Sequence, residues 1–397
     1  MPRFEPFAGL RYEAGLDLDR LIAPPYDVVG PKERADLAAR NRANAIHIEL
    51  PVADRTLRLD PYSNAARLLE GWRTEGVLVR DSKPAFYRYR MTMPEGGKST
   101  TGVIGALGIE PPGDEVLPHE QTIAKDETDR LALIRSAKAN LSPIWGLSLT
   151  DGLSRLSETE EKPTSYATDD AGVLHELWVV NDQVTMEAIS LAVSSNPVVL
   201  ADGHHRYSVS RRYRDEQRTE HDGVAGPYDL VMAFIVELEE GGLHVGPIHR
   251  AISKVPGRRQ LLEAAAKWFE VVDAGPRDDS LLSAVVSSHA LAMVAQDRIW
   301  LLTPRPEAYE TTNSDLDSSF VALLLEEMPD AVSNHFHTWM EATDAVESGH
   351  ADVALLVRPV TVDQIREWAR ARRLMPPKST YFFPKPRTGM VYRTLED

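Results

Sequence analysis

The sequence predicts a mixed α/β protein of the α+β class, and three observations lead to that prediction. Apolar residues recur at helical spacing in several segments, as Leu68, Leu69 and Trp72 do. Other short segments alternate polar and apolar residues, or are apolar throughout, between glycine and proline turns. The chain of 397 residues is longer than one hydrophobic core normally serves, so two or three parts are expected.

The helices are predicted from apolar residues that recur three or four positions apart. The pattern places them at residues 32–42, 60–76, 126–140, 184–193, 204–217, 261–269, 318–326 and 362–373. The sequence Thr-Glu-Gly at residues 74–76 is typical of a helix end. We expect the helix before it to serve as scaffold.

The strands are predicted from alternation and from apolar runs between turns. They are placed at residues 46–50, 86–90, 101–109, 142–149, 174–180, 197–201, 228–238 and 290–294. A turn at residues 94–97 is expected to join the second and third of these strands as a hairpin. A glycine turn at residues 239–242 is expected to form a second hairpin, which joins the strand at residues 228–238 to residues 243–250.

Composition excludes several classes of protein. The 44 Lys and Arg against 60 Asp and Glu give a net charge of -16, which repels a nucleic-acid backbone, so nucleic acid is not expected as a partner. The absence of Cys excludes disulfides and thiolate chemistry and leaves only His and carboxylates as metal ligands. No stretch resembles a signal peptide or approaches the roughly 18 apolar residues of a spanning helix. A cytoplasmic protein is expected.

The most distinctive motif follows a predicted buried strand and reads Asp202-Gly203-His204-His205-Arg206. A glycine turn at a helix start leaves backbone N–H groups free at one spot, where the helix dipole favours an anion. His204, His205 and Arg206 add donors, and the Arg206 guanidinium can donate two hydrogen bonds to phosphate oxygens. Asp202 could hold a metal ion or a histidine. The motif therefore predicts a polyphosphate cradle.

A simpler interpretation of the same motif is that Asp202 caps the helix and the two histidines lie on the surface. Capping alone hardly explains Asp, Gly, His, His and Arg in succession after an apolar strand, so the cradle is favoured. A histidine metal site is a weaker option, because His204 and His205 are adjacent and point apart on a helix. His335 and His337 share one face of a strand, but two histidines are a weak basis for a metal site.

A second candidate lies at residues 117–122, where His119 and Glu120 follow a proline and precede Thr122. A carboxylate fixed in this way could take the proton from a substrate hydroxyl, and Glu120 would be the base. A loop with one exposed glutamate explains the segment equally well.

Residues 21–29 are predicted to be extended, because Pro24 and Pro25 restrict the backbone and forbid a central helix. An extended segment would present Tyr26 and Asp27 to a ligand, although a proline-stiffened turn without a binding role is equally compatible with the sequence. Near the C-terminus, Lys378 and Lys385 could reach anionic groups of a substrate, although lysines are usually solvated.

Six motifs in this order resemble the bacterial and archaeal family of proteins of unknown function numbered 1015. They lie at residues 23–29, 117–122, 129–134, 140–144, 201–207 and 375–385. The boxes around Glu120 and Gly203 are in turn similar to the two boxes of the ParB, sulfiredoxin and free-serine-kinase superfamily. This resemblance implies a ParB/sulfiredoxin-like nucleotide-binding module in which the turn holds phosphates and Glu120 is the base.

The resemblance also implies a division into three parts, at residues 1–110, 111–222 and 223–397, with the nucleotide-binding module in the second. The first part contains the Pro-Pro-Tyr-Asp segment and the third the Pro-Pro-Lys tail motif. Both flanking parts are expected to contain sheet and to close a cleft over the module.

The function implied by the resemblance is an ATP-dependent kinase that phosphorylates the hydroxyl of a small metabolite, with free L-serine as the expected acceptor. ATP, or ADP as donor, and Mg²⁺ are the expected cofactors, and Asp202 is the residue that could reach the ion. His205 and Arg206 would stabilise the transferring group. The substrate contacts would come from five further positions besides Glu120, namely Tyr26, Asp27, His119, Thr122 and Lys378.

Two other functions stay open at the level of sequence. One is a ParB-like nucleotide-binding switch that hydrolyses nucleotide slowly or not at all, and the other is a metal-dependent phosphodiesterase built on the histidine pair. Neither the acceptor nor the oligomeric state follows from the sequence.

Overall fold

The computed structural model describes residues 1–94, 97–109, 115–121 and 127–396 and confirms the mixed α/β class. The helices are α1 (Pro31–Arg40), α2 (Ile46–Glu49), α3 (Pro61–Thr74), α4 (Thr128–Ala137), α5 (Leu153–Ser157), α6 (Gln183–Ser194), α7 (His204–Glu220), α8 (Arg258–Trp268), α9 (Asp279–Ser287), α10 (Pro306–Thr312), α11 (Asp317–Glu326), α12 (Trp339–Glu347) and α13 (Val362–Arg370). The strands are β1 (Phe4–Glu5), β2 (Leu10–Tyr12), β3 (Leu78–Arg80), β4 (Phe86–Thr92), β5 (Ser99–Gly108), β6 (Val116–Pro118), β7 (Ala139–Asn140), β8 (Ile144–Ser148), β9 (Ser165–Thr168), β10 (Leu174–Val180), β11 (Val198–Asp202), β12 (Leu230–Glu237), β13 (Val245–Gly246), β14 (His249–Ser253), β15 (Phe269–Pro276), β16 (Ala292–Val294), β17 (Arg298–Pro304), β18 (Val332–Phe336), β19 (Val353–Leu356), β20 (Tyr381–Phe382) and β21 (Arg393–Thr394).

The larger sheet is mixed and buried on both faces at its centre. Among the described residues its strands follow the order β6-β11-β8-β12-β5-β4-β10-β9, with β1 beside β5. β11 is parallel to β6 and β12 is parallel to β8. Along β12, Met232, Phe234 and Val236 join one hydrophobic cluster, whereas Val231 and Ile235 join another. β11, which leads into the Asp-Gly-His-His-Arg motif, is thus a fixed inner strand of this sheet.

A second, antiparallel sheet is built from later residues of the chain. Its strand order is β15-β17-β16-β19-β14-β18 in the part of the chain that the structure describes. Phe269, Trp300 and Phe320 lie in a hydrophobic cluster that this sheet shares with α8 and α11. The sheet therefore has a core of its own.

The last residues of the chain return to the first sheet and its neighbours. Met375 forms a bridge with Glu120, β20 pairs with β13, and β21 pairs with β7. Arg387 donates to the carboxylate of Asp169 and its backbone N–H donates to the Tyr89 hydroxyl at 3.1 Å. The tail is consequently fixed in place by contacts with segments far away in the sequence.

Most of the predicted elements are present. The hairpin of β4 and β5, the strand β10, the helices α3 and α6, and the succession of β11 and α7 all occur where they were predicted. The glycines of β5 allow close approach, since a Cβ atom on Gly105 would lie 2.5 Å from the Phe4 ring. The strands of the larger sheet come from all three of the predicted parts, and the three-part division stays a prediction.

Three local predictions are wrong. The predicted strand at residues 46–50 is instead the helix α2 (Ile46–Glu49). The Asn44 side chain accepts a hydrogen bond from Ile46 N at 2.9 Å at its start, and a short apolar run does not distinguish a buried helix from a strand. Tyr26–Val28 form a turn of 3-10 helix rather than extended backbone, closed by a bond from Val28 N to Pro25 O. Residues 243–250 do not pair back onto β12, which lies between β5 and β8.

Among the described residues, no helix is both long enough and apolar enough to cross a membrane.

Candidate functional site

Most of the predicted site residues converge on one cleft of about 360 Å³. One side is formed by residues 201–206, at the end of β11 and the start of α7, which we call the α7 wall. Another side is formed by residues 375–385 near the C-terminus, which we call the tail wall. Beside these walls the cleft is lined by Tyr26, Asp27, Val28, Glu120, Gln121, Ile248 and His337.

The α7 wall has the strand-turn-helix geometry that the sequence predicts. Gly203 has a φ of +86°, which favours glycine, and a Cβ atom there would lie 3.1 Å from the Ile144 side chain. No side chain in the described ranges caps α7. Its first backbone N–H groups and the positive end of its dipole are therefore available at the cleft.

Asp202 does not cap the helix, because its two oxygens bind cations. Oδ1 pairs with the Lys385 ammonium group, and Oδ2 accepts a hydrogen bond from Arg206 Nη2 at 2.8 Å. Burial alone would raise the pKa of Asp202, but the charges of Lys385 and Arg206 outweigh burial and lower it to about 2. Asp202 thus ties the α7 wall to the tail wall.

Arg206 anchors the turn to the segment just before β8. Its Nη1 donates to the carbonyl oxygen of Pro143 and lies 3.3 Å from the Ser142 hydroxyl, while Nη2 binds Asp202. These bonds engage both terminal nitrogens with protein groups. The contacts therefore favour a positioning role, and the predicted hydrogen bonds from Arg206 to phosphate stay a prediction.

His204 and His119 lie together, with ring centroids 5.1 Å apart. His119 is only 3% exposed, and its Nδ1 lies 2.6 Å from the Leu200 carbonyl oxygen, so Nδ1 carries the proton and Nε2 accepts from the Thr380 hydroxyl at 2.7 Å. In contrast, the buried Nε2 of His204 has no partner among the described residues. Burial and the neighbouring His119 lower the pKa of His204 to about 3, so its ring is neutral.

Two of the remaining predicted positions differ in their access to the cleft. His119 lies behind the lining residues and bonds to Thr380 of the tail wall, so its predicted substrate contact is not supported by this geometry. His205 lines the cleft with 31% of its side chain exposed, and its Nδ1 lies 3.9 Å from Glu127. Thr122 lies outside the described residues.

Glu120 lines the cleft and also holds the tail wall. Its Oε2 accepts a hydrogen bond from Ser379 N at 3.2 Å and lies 3.6 Å from His119 Nε2. The side chain is 15% exposed. A carboxylate that is held in place yet reaches a cleft meets the geometric need of a general base.

The tail wall contributes features to the site that the sequence alone does not predict. Lys378 has a φ of +59°, an unusual value for a lysine, and its carbonyl oxygen accepts from the buried Arg250 at 2.8 Å. Tyr381 stacks on His337 with centroids 3.7 Å apart, and Phe383 stacks on Tyr381 at 5.7 Å. These rings form a parallel column that no local motif of the sequence predicts.

Tyr26 and Asp27 reach the cleft from the 3-10 turn. Arg130 lies over the Tyr26 ring at 4.3 Å, and Tyr26 N donates to Glu49 Oε1 at 3.3 Å. The turn is therefore fixed from beneath, and both side chains line the cleft as predicted. Whether they bind substrate stays a prediction.

A metal site centred on Asp202 does not fit these contacts. Both carboxylate oxygens already bind cations, so a Mg²⁺ ion would compete with Lys385 and Arg206 for this carboxylate. Within the described ranges, no three His, Asp or Glu side chains converge as metal ligands.

The fold and the cleft define a mixed α/β protein in which an uncapped helix start, two lysines and a glutamate share one concave site. The chain belongs to the family described as protein of unknown function (DUF1015), whose model matches residues 4–319. This confirms the resemblance read from the sequence motifs. No curated protein matches the chain.

Solved structures show only distant similarity. A conserved hypothetical protein from Pyrococcus furiosus has 12% identity and a TM-score of 0.37, with 69% of this chain and 91% of that chain covered. A free serine kinase in complex with AMP has 12% identity and a TM-score of 0.37, with 68% and 85% covered. SbnI from Staphylococcus aureus, truncated at its C-terminus, has 10% identity and a TM-score of 0.37, with 70% and 82% covered. Similarity at this level carries no argument about activity.

Proposed function

We propose that the cleft binds the phosphates of ATP or ADP and transfers a phosphoryl group to the hydroxyl of a small metabolite, with free L-serine as the first acceptor to test. The observation that carries this proposal is that one cleft contains both groups that attract an anion and a carboxylate. The uncapped start of α7 and Lys378 attract phosphate, while the Glu120 carboxylate can accept a proton.

The phosphate half of the site rests on the α7 wall. Free N–H groups at a helix start, together with the dipole, contribute up to about 2 kcal/mol to the binding of an anion in a partly buried site. The neutral His204 ring has a buried nitrogen without a partner among the described residues, which a phosphate oxygen or its hydroxyl can satisfy. Lys378 adds a positive charge from the tail wall.

The nucleoside half rests on the ring column. His337 is exposed and lines the cleft, and Tyr381 stacks on its imidazole. A planar base can extend the column beyond His337, because offset stacking of rings is favourable by about 0.5–1.5 kcal/mol. This supports a nucleotide rather than free phosphate as the ligand.

The proposed reaction is an in-line displacement at the terminal phosphorus. The acceptor hydroxyl gives its proton to Glu120 while its oxygen bonds to phosphorus. The bond from that phosphorus to the bridging oxygen breaks, and its electron pair leaves with the shortened nucleotide. Positioned proton transfer of this kind contributes about 10²–10⁴ in rate.

Glu120→Gln tests the base separately from the fold. The Gln carbonyl oxygen still accepts from Ser379 N, so the tail wall is expected to stay in place while proton transfer is lost. Titration calorimetry with ATP and ADP in the presence of Mg²⁺ should give unchanged affinity. Formation of phosphoserine should fall by about 10²–10⁴.

The control is Glu263→Gln, which removes a glutamate 60% exposed on α8 and should change neither quantity. Full turnover in Glu120→Gln would disprove the assignment of the base. Tight nucleotide binding by the wild type without transfer to any hydroxyl compound would instead favour a nucleotide-binding switch.

A further inference from the structure

A second, smaller cavity adjoins the cleft. It has a volume of about 60 Å³, and Tyr26 and Arg206 line both it and the cleft. Its other polar side chains include Glu49, Arg130 and Ser142. Much of the remaining lining is apolar, with Leu133, Ile134, Leu141, Val209 and Val231. A small ligand in this cavity would therefore lie directly beside the start of α7.

Glu49 is the buried acidic side chain of this cavity, and only one of its carboxylate oxygens accepts hydrogen bonds from described residues. It is 2% exposed at the end of α2, and burial raises its pKa, although Arg130 and Arg206 act in the opposite direction. Its Oε1 accepts from Tyr26 N and from the Ser142 hydroxyl, each at 3.3 Å. In the part of the chain that the structure describes, its Oε2 accepts no hydrogen bond. A buried carboxylate in this state is costly unless a partner satisfies it.

Neither nearby arginine is that partner. Arg130 donates through Nε to Asp129 at 2.7 Å and through Nη1 to the backbone carbonyl oxygen of Glu49 at 2.8 Å. Arg206 is bound to Asp202, Pro143 and Ser142. Neither guanidinium forms an ion pair with the Glu49 carboxylate within the described ranges. The second carboxylate oxygen of Glu49, which lines the cavity, can therefore accept a hydrogen bond from a cationic donor of a ligand bound there.

We propose that Glu49 binds the primary ammonium group of the acceptor. The acceptor class is then a small hydroxy compound with an ammonium group, such as a hydroxyl-bearing α-amino acid, and this assignment rests on the proposed phosphotransfer function. A zwitterion suits the site because it adds no net charge near the arginines. The small volume of the cavity selects against bulky or quaternary ammonium groups.

The alternative is that Glu49 only holds the Tyr26 turn and Ser142. Glu49→Gln separates the two roles, because the Gln side-chain oxygen can still accept from Tyr26 N and Ser142 while the negative charge is lost. A purely structural Glu49 would leave the discrimination between ammonium and non-ammonium compounds unchanged.

Calorimetric titration tests the proposal without relying on turnover. The probes are L-serine, ethanolamine, glycerate and choline. The wild type should bind L-serine and ethanolamine and reject glycerate, which lacks the ammonium group, and choline, whose ammonium group is quaternary. Glu49→Gln should weaken binding of the first two by about tenfold or more. Its affinity for ATP should stay within about twofold of the wild type.

The control is Glu75→Gln, which alters a half-exposed glutamate at the end of α3 and should change no affinity. Equal binding of L-serine by Glu49→Gln and the wild type overturns the proposal. So does tight binding of glycerate or choline by the wild type, a comparison that stands even where Glu49→Gln does not fold. Glu49-dependent ammonium binding without phosphoryl transfer to any hydroxyl compound would support the subsite and disprove the kinase function.

Discussion

The two walls of the cleft are built in opposite ways. The α7 wall is a continuous stretch in which a strand, a glycine turn and a helix follow one another. The tail wall is held by contacts across the chain, from Lys385 to Asp202 over 183 positions, from Ser379 to Glu120 over 259 and from Arg250 to Lys378 over 128. Local geometry thus provides one side of the site and tertiary packing the other.

The two walls also differ in whether their charged side chains have ionic partners. Asp202 of the α7 wall binds two cations, one of which is Lys385 from the tail wall. Lys378, in contrast, has no comparable ion pair in the described ranges and adopts a left-handed backbone conformation. Lys385 therefore joins the walls, whereas Lys378 is the lysine with a free charge for a ligand.

The largest expected effect comes from Lys385→Met. Removing one partner of a buried ion pair leaves the Asp202 carboxylate with a single cation, and such losses cost about 3–5 kcal/mol. The free energy of unfolding, measured in urea, should fall by an amount in this range. Nucleotide affinity should fall too, because the two walls are no longer joined.

The matched control for that change is Lys267→Met, which removes a lysine 54% exposed that pairs with Glu327 at the surface. Exposed pairs contribute about 0–1 kcal/mol, so the loss should be small. The double variant Asp202→Asn with Lys385→Met should recover part of the stability. Equal losses for Lys385→Met and Lys267→Met would show that Lys385 does not join the walls.

The same contrast explains how far sequence reasoning reaches. The succession of β11, the Gly203 turn and α7 was predicted because each element depends on its nearest neighbours. The bond between Lys385 and Asp202 was not predicted, because no periodicity links positions so far apart. Likewise, β15 has an irregular burial pattern at the edge of its sheet, so neither alternation nor an apolar run marks it.

Glu49 illustrates a different limit. Its segment was predicted to be a strand, and in the structure it is a short buried helix whose start depends on the Asn44 side chain. The buried carboxylate became visible only once this helix was in place. Tyr26, on the other hand, was singled out from the sequence and lines the cleft even though the backbone around it is a 3-10 turn.

Gly203→Ala probes the α7 wall directly. An alanine there must adopt a φ of +86° and place its Cβ atom 3.1 Å from Ile144, which costs about 1–3 kcal/mol. Gly223→Ala is the matched control, because Gly223 has a φ of +81° but no heavy atom of the described residues lies within 4 Å of the added Cβ. Urea unfolding should show a larger loss for Gly203→Ala, and equal losses would exclude the steric contribution of Ile144.

His204 gives the α7 wall a pH dependence. Its folded pKa of about 3 lies below the unfolded value of 6.5, so protons bind more readily to the unfolded chain. The stability due to neutral His204 is complete above pH 6.5 and is lost as pH falls from 6.5 towards 3, by at most about 1.4 kcal/mol per pH unit.

The measurement for His204 is urea unfolding of the wild type and His204→Asn between pH 7.5 and 5. Other buried histidines contribute to both proteins, so only the difference between the two curves reports His204. The wild type should lose stability more steeply below pH 6.5. Parallel curves would show that His204 takes up a proton in the folded protein as readily as in the unfolded chain.

The smallest change in the free energy of unfolding is expected at Lys378 of the tail wall. At this position, a substitution by glycine is expected to raise stability and to weaken ATP binding. Lys378→Gly relieves the left-handed strain and should stabilise the free protein by about 1 kcal/mol or less, whereas Lys378→Ala keeps most of that strain. Both variants lose the ammonium group, so both should bind ATP severalfold more weakly in calorimetric titration. If both variants bound ATP as tightly as the wild type, the free charge of the tail wall would play no part in phosphate binding, and the α7 wall alone would have to account for it.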